Sequence, residues 1–284
     1  MRHDFVAVLA AIYLGLVILA TFLGPALVGT GATTMNLSLR NQPPSFSGGS
    51  VSHIAGTDPL GRDLLGRIAL AARVSLGIAV TVVAASVAIG TLMGTVAGYF
   101  GGVWDDIVMR TVDVFMGFPS LLLVMVVIYA VGPGIENLAL VLIATRWVLY
   151  ARVARAVVLK LRRFEFVEAA RAMGAGHGRI VVRHIVPNLI PTLITLAILD
   201  VSAVILAEAG LSFLGLGVPD NSWGRLIADG QKYISSAWWL VTFPGLAILL
   251  TTMSLAILAN WVVVVLDPGQ RAAAISRMQA RKKS

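Results

Sequence analysis

Long stretches of this chain carry no Asp, Glu, Lys or Arg. They run from Phe5 to Leu39, Val74 to Trp104, Val114 to Ile135 and Tyr233 to Leu266. A spanning helix needs roughly 20 apolar residues, and each stretch can hold one. Core helices of water-soluble proteins are shorter and carry charge along their wet face. The pattern predicts an all-α, polytopic membrane protein with about six transmembrane helices, at about 5–27, 74–100, 112–132, 137–151, 189–216 and 237–266. Arg146 interrupts the fourth. A secretory apolar region spans roughly 7–15 residues; the first stretch exceeds that and is read as an uncleaved span.

Composition agrees: 58% of residues are hydrophobic and 13% charged, against about 25% charged in soluble domains. Cysteine is absent, which excludes disulfides, thiolate metal sites and a Cys nucleophile. The net charge of +8 does not point to nucleic acid, because the basic residues sit in loops between apolar runs, as the positive-inside rule requires. The partner they imply is the lipid bilayer. With the N-terminus inside, the inner segments hold Arg2, Arg110, eight Lys or Arg in 151–188 and five after Asp267, against six in the outer segments. Both termini are therefore expected in the cytoplasm. Trp223, Trp238 and Trp239 are expected at the outer interface and Trp147 with Tyr150 at the inner one. Gly90, Gly94 and Gly98 form a small-xxx-small face for close helix packing. The four histidines are scattered, so no metal site is implied, and no nucleophile–base pair suggests an enzyme.

The loop between the fourth and fifth predicted spans is the most informative segment. Phe164 to Met173 is rich in helix formers, and Gly174 is placed to end the helix as a residue with positive φ. Such a short helix is marginal alone. With Phe164, Val167 and Met173 exposed beside the small Ala169 and Ala170, it suits a groove on a partner. Two acids, Asp200 and Glu208, fall within the fifth span, about 80° apart on a helix. They either line a polar path or form interhelical pairs, Asp200 with Arg146. Asp58, Arg62, Asp63 and Arg67 fit either a short amphipathic surface helix or a solvated charged turn.

Glu168-Ala169-Ala170, three residues, Gly174 and then Pro187 resemble the EAA loop of ABC importer permeases. His184 and Val186 stand where Ile and Leu are usual in that loop, and the His form resembles the peptide and nickel branch. Four further segments resemble the same branch. They are Gly56–Asp63 with Arg73–Leu76, Ala97–Gly102 with Asp105, Arg110, Asp113 and Phe118-Pro119, Leu211–Gly217 with Trp223-Gly224, and Leu266-Asp267-Pro268. The final Asp-Pro usually follows polar residues in this family, whereas here Trp261–Val265 precede it.

The resemblance, to the C-type permease of dipeptide, oligopeptide and nickel importers, implies a type I (MetI-like) permease fold in a bacterial cytoplasmic membrane. It implies an N-terminal helix and external segment over 1–73, a permease core over 74–268 with a cytoplasmic coupling loop at 151–188, and a basic tail at 269–284. Phe164, Val167, Glu168, Ala169, Ala170, Met173, Gly174 and Pro187 would form the surface that docks on an ATPase. The partners implied are a second homologous permease, two cytoplasmic ABC ATPases that use ATP and Mg, and an external solute-binding protein. No phosphate-binding Gly-x-x-x-x-Gly-Lys-Ser/Thr loop occurs, so this chain itself carries no cofactor by this reading. The cargo implied is a short peptide, with nickel or another small solute as the alternative. An ion-coupled secondary transporter or a membrane scaffold is the rival reading.

Overall fold

The computed structural model describes residues 2–27 and 31–266. The Asp267-Pro268 pair and the basic tail lie outside the described residues. Helix α1 spans Arg2–Leu27, α2 Leu64–Phe100, α3 Gly102–Met116, α4 Ser120–Val131 and α5 Ile135–Leu161. A short α6, Glu165–Ala172, and a single turn, α7, His177–Ile180, lead through a π-helical turn at Val181–Ile185 into α8, Val186–Phe213. Helix α9, Trp223–Gly230, and α10, Trp239–Leu266, complete the order.

Five of these elements are long and apolar enough to cross a membrane, and the bent α3–α4 pair is a sixth candidate. The predicted third span, 112–132, is not one straight helix. Its two parts meet at 83° around Gly117-Phe118-Pro119. Pro119 lacks an N–H and drives the preceding residue out of helical geometry. The predicted fourth span, 137–151, extends ten residues further, and the second begins ten residues earlier than expected. The extensions carry Arg67, Arg152 and Arg155, whose charges are paired as described below.

The described residues divide into two compact units, one within 1–81, 125–139 and 201–258 and the other within 82–124, 140–200 and 259–284. In the first, buried Asp58 is a hub. Its carboxylate accepts the backbone N–H groups of Leu60 (2.8 Å) and Arg62 (2.9 Å), Arg62 Nε (2.7 Å) and Arg67 Nη1 (2.7 Å). Arg67 Nη2 donates to Asn221 Oδ1 at 2.9 Å, and Asn221 Nδ2 returns a bond to the Arg67 carbonyl at 3.0 Å. The stretch from Asp58 to Arg62 is thus a locked turn rather than an amphipathic helix, and Asp63 accepts Gly66 N–H at 2.7 Å at the start of α2. Trp223, expected at a membrane interface, is buried instead. Its indole donates to the Ile68 carbonyl at 3.0 Å.

In the second unit α2 lies almost in backbone contact with α5. A Cβ on Gly90 would fall 2.4 Å from the Trp147 carbonyl oxygen, on Gly94 2.2 Å from that of Ala151, and on Gly98 2.9 Å from that of Arg155. These glycines do form the close-packing face expected of them. Facing them, Ala151, Ala154 and Val158 are fully buried. Arg155 also grips Asp105 of α3 through both Nε and Nη2, the latter at 2.6 Å. Arg152 reaches Asp113 at 3.4 Å, but both are exposed and such pairs contribute about 0–1 kcal/mol.

The glycine face yields a direct test. Gly94→Ala should lower the Tm of the purified, detergent-solubilised protein, since overpacking costs about 1–3 kcal/mol. Gly77→Ala, with nothing within 4 Å of the added Cβ, should hold or raise it, because Ala is the better helix former by about 1 kcal/mol. Equal Tm shifts for the two variants would contradict this packing.

Candidate functional site

Helix α6 is built from its ends inward. Glu165 and Glu168 lie in its first turn and Arg171 in its last, the arrangement that the helix dipole favours. At its C-terminus the Ala175 N–H donates to the Ala170 carbonyl and the Gly174 N–H to that of Arg171, each at 3.0 Å. This is a Schellman motif, and it places Gly174 at φ +82°, a conformation side chains disfavour. The expected stop thus falls at Gly174.

One face of α6 is turned inward: Val167 is fully buried and Ala170 nearly so. Val167 was expected on the exposed face; the i, i+3 spacing of two apolar residues instead supplies the inner stripe. The outer face presents Phe164 and Phe166, each 40% exposed, Met173, 82% exposed, and the exposed Glu168 and Ala169. Phe166 was not singled out by sequence. Its ring meets Phe164 at 5.8 Å and His184 at 6.3 Å.

The turns beside α6 are fastened to the end of α2. The Tyr99 hydroxyl hydrogen-bonds His177 Nδ1 at 3.0 Å, and the Phe100 and His177 rings lie 6.1 Å apart. Arg162, between α5 and α6, donates to the Gly98 carbonyl at 3.0 Å. Pro187 is exposed at the start of α8, directly after the π-helical turn. In that turn the Val186 N–H reaches back five residues to the Val181 carbonyl. A proline at this place removes a helical donor, and the wider turn accommodates the break. Tyr99 and His177 are thus part of the arrangement, although Tyr99 stood out only as part of a resembling segment and His177 only as one of four scattered histidines.

The two intramembrane acids have separate partners. Asp200 accepts Arg146 Nη1 at 2.6 Å and the Tyr150 hydroxyl at 3.0 Å. The Arg146 pairing considered from sequence is therefore present, and Tyr150 is fully buried instead of marking an interface. Glu208 lies in the interior of the other unit. Its Oε1 accepts the Ser212 and Ser222 hydroxyls, both at 2.7 Å, and its Oε2 that of Ser75 at 3.5 Å. Ser75 and Ser222 in turn accept the N–H groups of Trp223 and Arg225, each at 3.0 Å. The first turn of α9 is thereby joined through two serines to one buried carboxylate. Among the described residues no group of three or more His, Asp or Glu could hold a metal ion.

Residues 90–272 match the family model described as "binding-protein-dependent transport system inner membrane component". Among curated relatives, the chain is 39% identical over 218 residues to a nickel transport system permease protein of Escherichia coli, covering 76% of this chain and 79% of the relative. It is 38% identical over 252 residues to a dipeptide transport system permease protein of Bacillus subtilis, covering 88% and 77%. A dipeptide permease protein of Alkalihalophilus pseudofirmus is 34% identical over 256 residues, covering 89% and 84%. Among solved structures, a chain of the inward-facing MetNI methionine ABC transporter superposes with a TM-score of 0.55 at 18% identity, over 68% of this chain and 93% of that one. A chain of an amino acid ABC transporter superposes at 0.51 and 15% identity, over 66% and 89%. These two likenesses establish a shared helical fold.

The Arg146–Asp200 pair predicts a specific non-additivity. Removing one partner of a buried pair typically costs about 3–5 kcal/mol, whereas replacing both with apolar residues is often close to neutral. Arg146→Met alone should therefore lower the Tm more than the double variant Arg146→Met, Asp200→Leu. A double variant as unstable as the two single losses combined would show that the pair is not a unit.

Proposed function

Because the chain belongs to the binding-protein-dependent transport system inner membrane components, we propose that it forms one half of the transmembrane path for short peptides. The other half is a second homologous permease, and two cytoplasmic ATPases supply the work. What supports the energy-coupling part of this reading is α6, a helix stopped by a Schellman motif, with Phe164, Phe166, Glu168, Ala169 and Met173 outward and Val167 and Ala170 inward. A groove on a partner can take the outward face. The inner face, with the Tyr99–His177 bond and the Arg162–Gly98 bond, ties the contact to α2 and to the turn beside α5. Residues 151–188 lie in the cytoplasm in this reading, with both termini. Residues 1–73 supply the first span and an external segment, 74–268 the transport core and 269–284 a basic tail.

Dipeptide permeases among the relatives support a peptide cargo, and a nickel permease of similar identity supports the second reading. Asp200 and Glu208 were the candidates for lining a path. Since each is buried and fully engaged within its own unit, we assign them to holding the helices instead. Discrimination between cargos then falls largely to the solute-binding protein.

The test uses the assembled importer in proteoliposomes. Gly174→Val should distort the Schellman stop, and Ala169→Trp should block close approach by bulk. Both should abolish peptide uptake while leaving the permease inserted, with ATP hydrolysis lost or no longer responsive to loaded binding protein. Ala169→Ser should be tolerated. Wild-type uptake and coupled hydrolysis in both bulky variants would overturn the assignment, and uptake of Ni²⁺ but not of dipeptides would select the second cargo.

A further inference from the structure

The segment between α1 and α2 contains a stretch free of Asp, Glu, Lys and Arg, between Arg40 and Asp58. Within it the Ser45 N–H donates to the Ile54 carbonyl at 3.3 Å, and the Gly49 N–H to the Pro44 carbonyl at 3.1 Å. The result is a closed, compact loop. It leaves three large apolar side chains uncovered: Phe46 at 71% exposure, Val51 at 87% and Ile54 at 60%. Isolated exposed apolar residues are ordinary, but a cluster on one short loop implies a partner.

The depth of this loop is fixed by one ring contact. Phe46 packs edge-on against Phe243 at 6.4 Å, Phe243 lies 6.0 Å from Trp238, and Trp238 lies 6.1 Å from Trp239. The loop is also fastened to this end of α10 by the Trp239 indole, which donates to the Thr57 carbonyl at 3.1 Å. Trp239, expected at the outer interface, is buried, and Trp238 beside it, 41% exposed at the end of a spanning helix, marks the level of the lipid headgroups. Phe243 is four residues further along α10 than Trp239, about 6 Å deeper at 1.5 Å per residue. A largely exposed Phe46 ring beside it therefore lies at the top of the hydrocarbon, and not in water. The exposed faces of Leu246, Leu249 and Met253 continue the same apolar surface down α10.

We propose that the loop at residues 45–54 is an interfacial anchor that inserts Phe46, Val51 and Ile54 into the acyl-chain region of the leaflet at the N-terminal end of α10. Its partner is bilayer lipid. The charge-free sequence suits this setting, and the only titratable side chain in it, His53, turns away to Asp63 (Nδ1 to Oδ1, 3.1 Å). This assignment requires α10 to span the membrane and is independent of how α6 couples to a partner.

The Cys-free chain makes the test direct. Single cysteines replace Phe46, Val51 or Ile54, with exposed Arg40→Cys as the reference. Each is labelled with an environment-sensitive fluorophore in the full importer, reconstituted in phosphatidylcholine–phosphatidylglycerol nanodiscs. Positions 46, 51 and 54 should be quenched severalfold more than position 40 by lipids spin-labelled near the top of the acyl chain, and severalfold less by aqueous iodide. Iodide quenching equal to that at position 40 overturns the proposal. So does shielding that appears only when the solute-binding protein is added, which would make the loop a protein-docking surface.

Discussion

The close approach of α2 and α5 is the constraint from which the rest of the second unit follows. Gly90, Gly94 and Gly98 remove the side chains that would hold the two backbones apart, and Ala151, Ala154 and Val158 fill the remaining space. In a bilayer, lipid is as apolar as the helices, so association depends on such van der Waals fit and on a few polar contacts. Once α2 and α5 are in register, Arg155 meets Asp105 and fixes α3, and Arg162 meets the Gly98 carbonyl. Tyr99, one residue past Gly98, is then placed to hold His177. The platform that presents α6 is therefore set by three small residues at positions 90, 94 and 98, far away in sequence from the helix at 165–172.

Polar groups serve the same end. Each buried charge carries a desolvation cost that must be offset locally. Asp200 meets a guanidinium and a phenol, Asp58 meets two guanidinium groups and two backbone N–H groups, and Glu208 meets three hydroxyls. These clusters join helices distant in sequence, so they specify which elements pair where apolar packing alone would be permissive.

The sequence was most legible where the physics is local. Apolar runs announced the spans, glycine spacing announced a packing face, and Gly174 announced a helix stop, because each needs only neighbouring residues. Legibility failed where a partner lay far along the chain. Arg146 looked like an interruption of a span, and its pairing with Asp200, 54 positions away, stood only as one of two readings. Tyr150 and Trp223 looked like interfacial aromatics because the groups they bond, Asp200 and the Ile68 carbonyl, lie 50 and 155 positions away. Val167 was assigned to the wrong face of α6 and Phe166 to none, since in an eight-residue helix nothing local says which stripe points inward. The bend at Phe118-Pro119 could have been read, as proline is a local signal, but the unbroken apolar run around it concealed the break.

By the proposed function, a partner's work enters the chain at the outward face of α6, and contact mapping tests that claim most directly. A photoreactive benzoylphenylalanine at Phe166 or Ala169 in the assembled importer should cross-link to an ATPase subunit, identified by mass spectrometry. The same residue at Ser38 should not. An absence of ATPase adducts from both α6 positions, with adducts arising from another loop of the intact complex, would contradict the account.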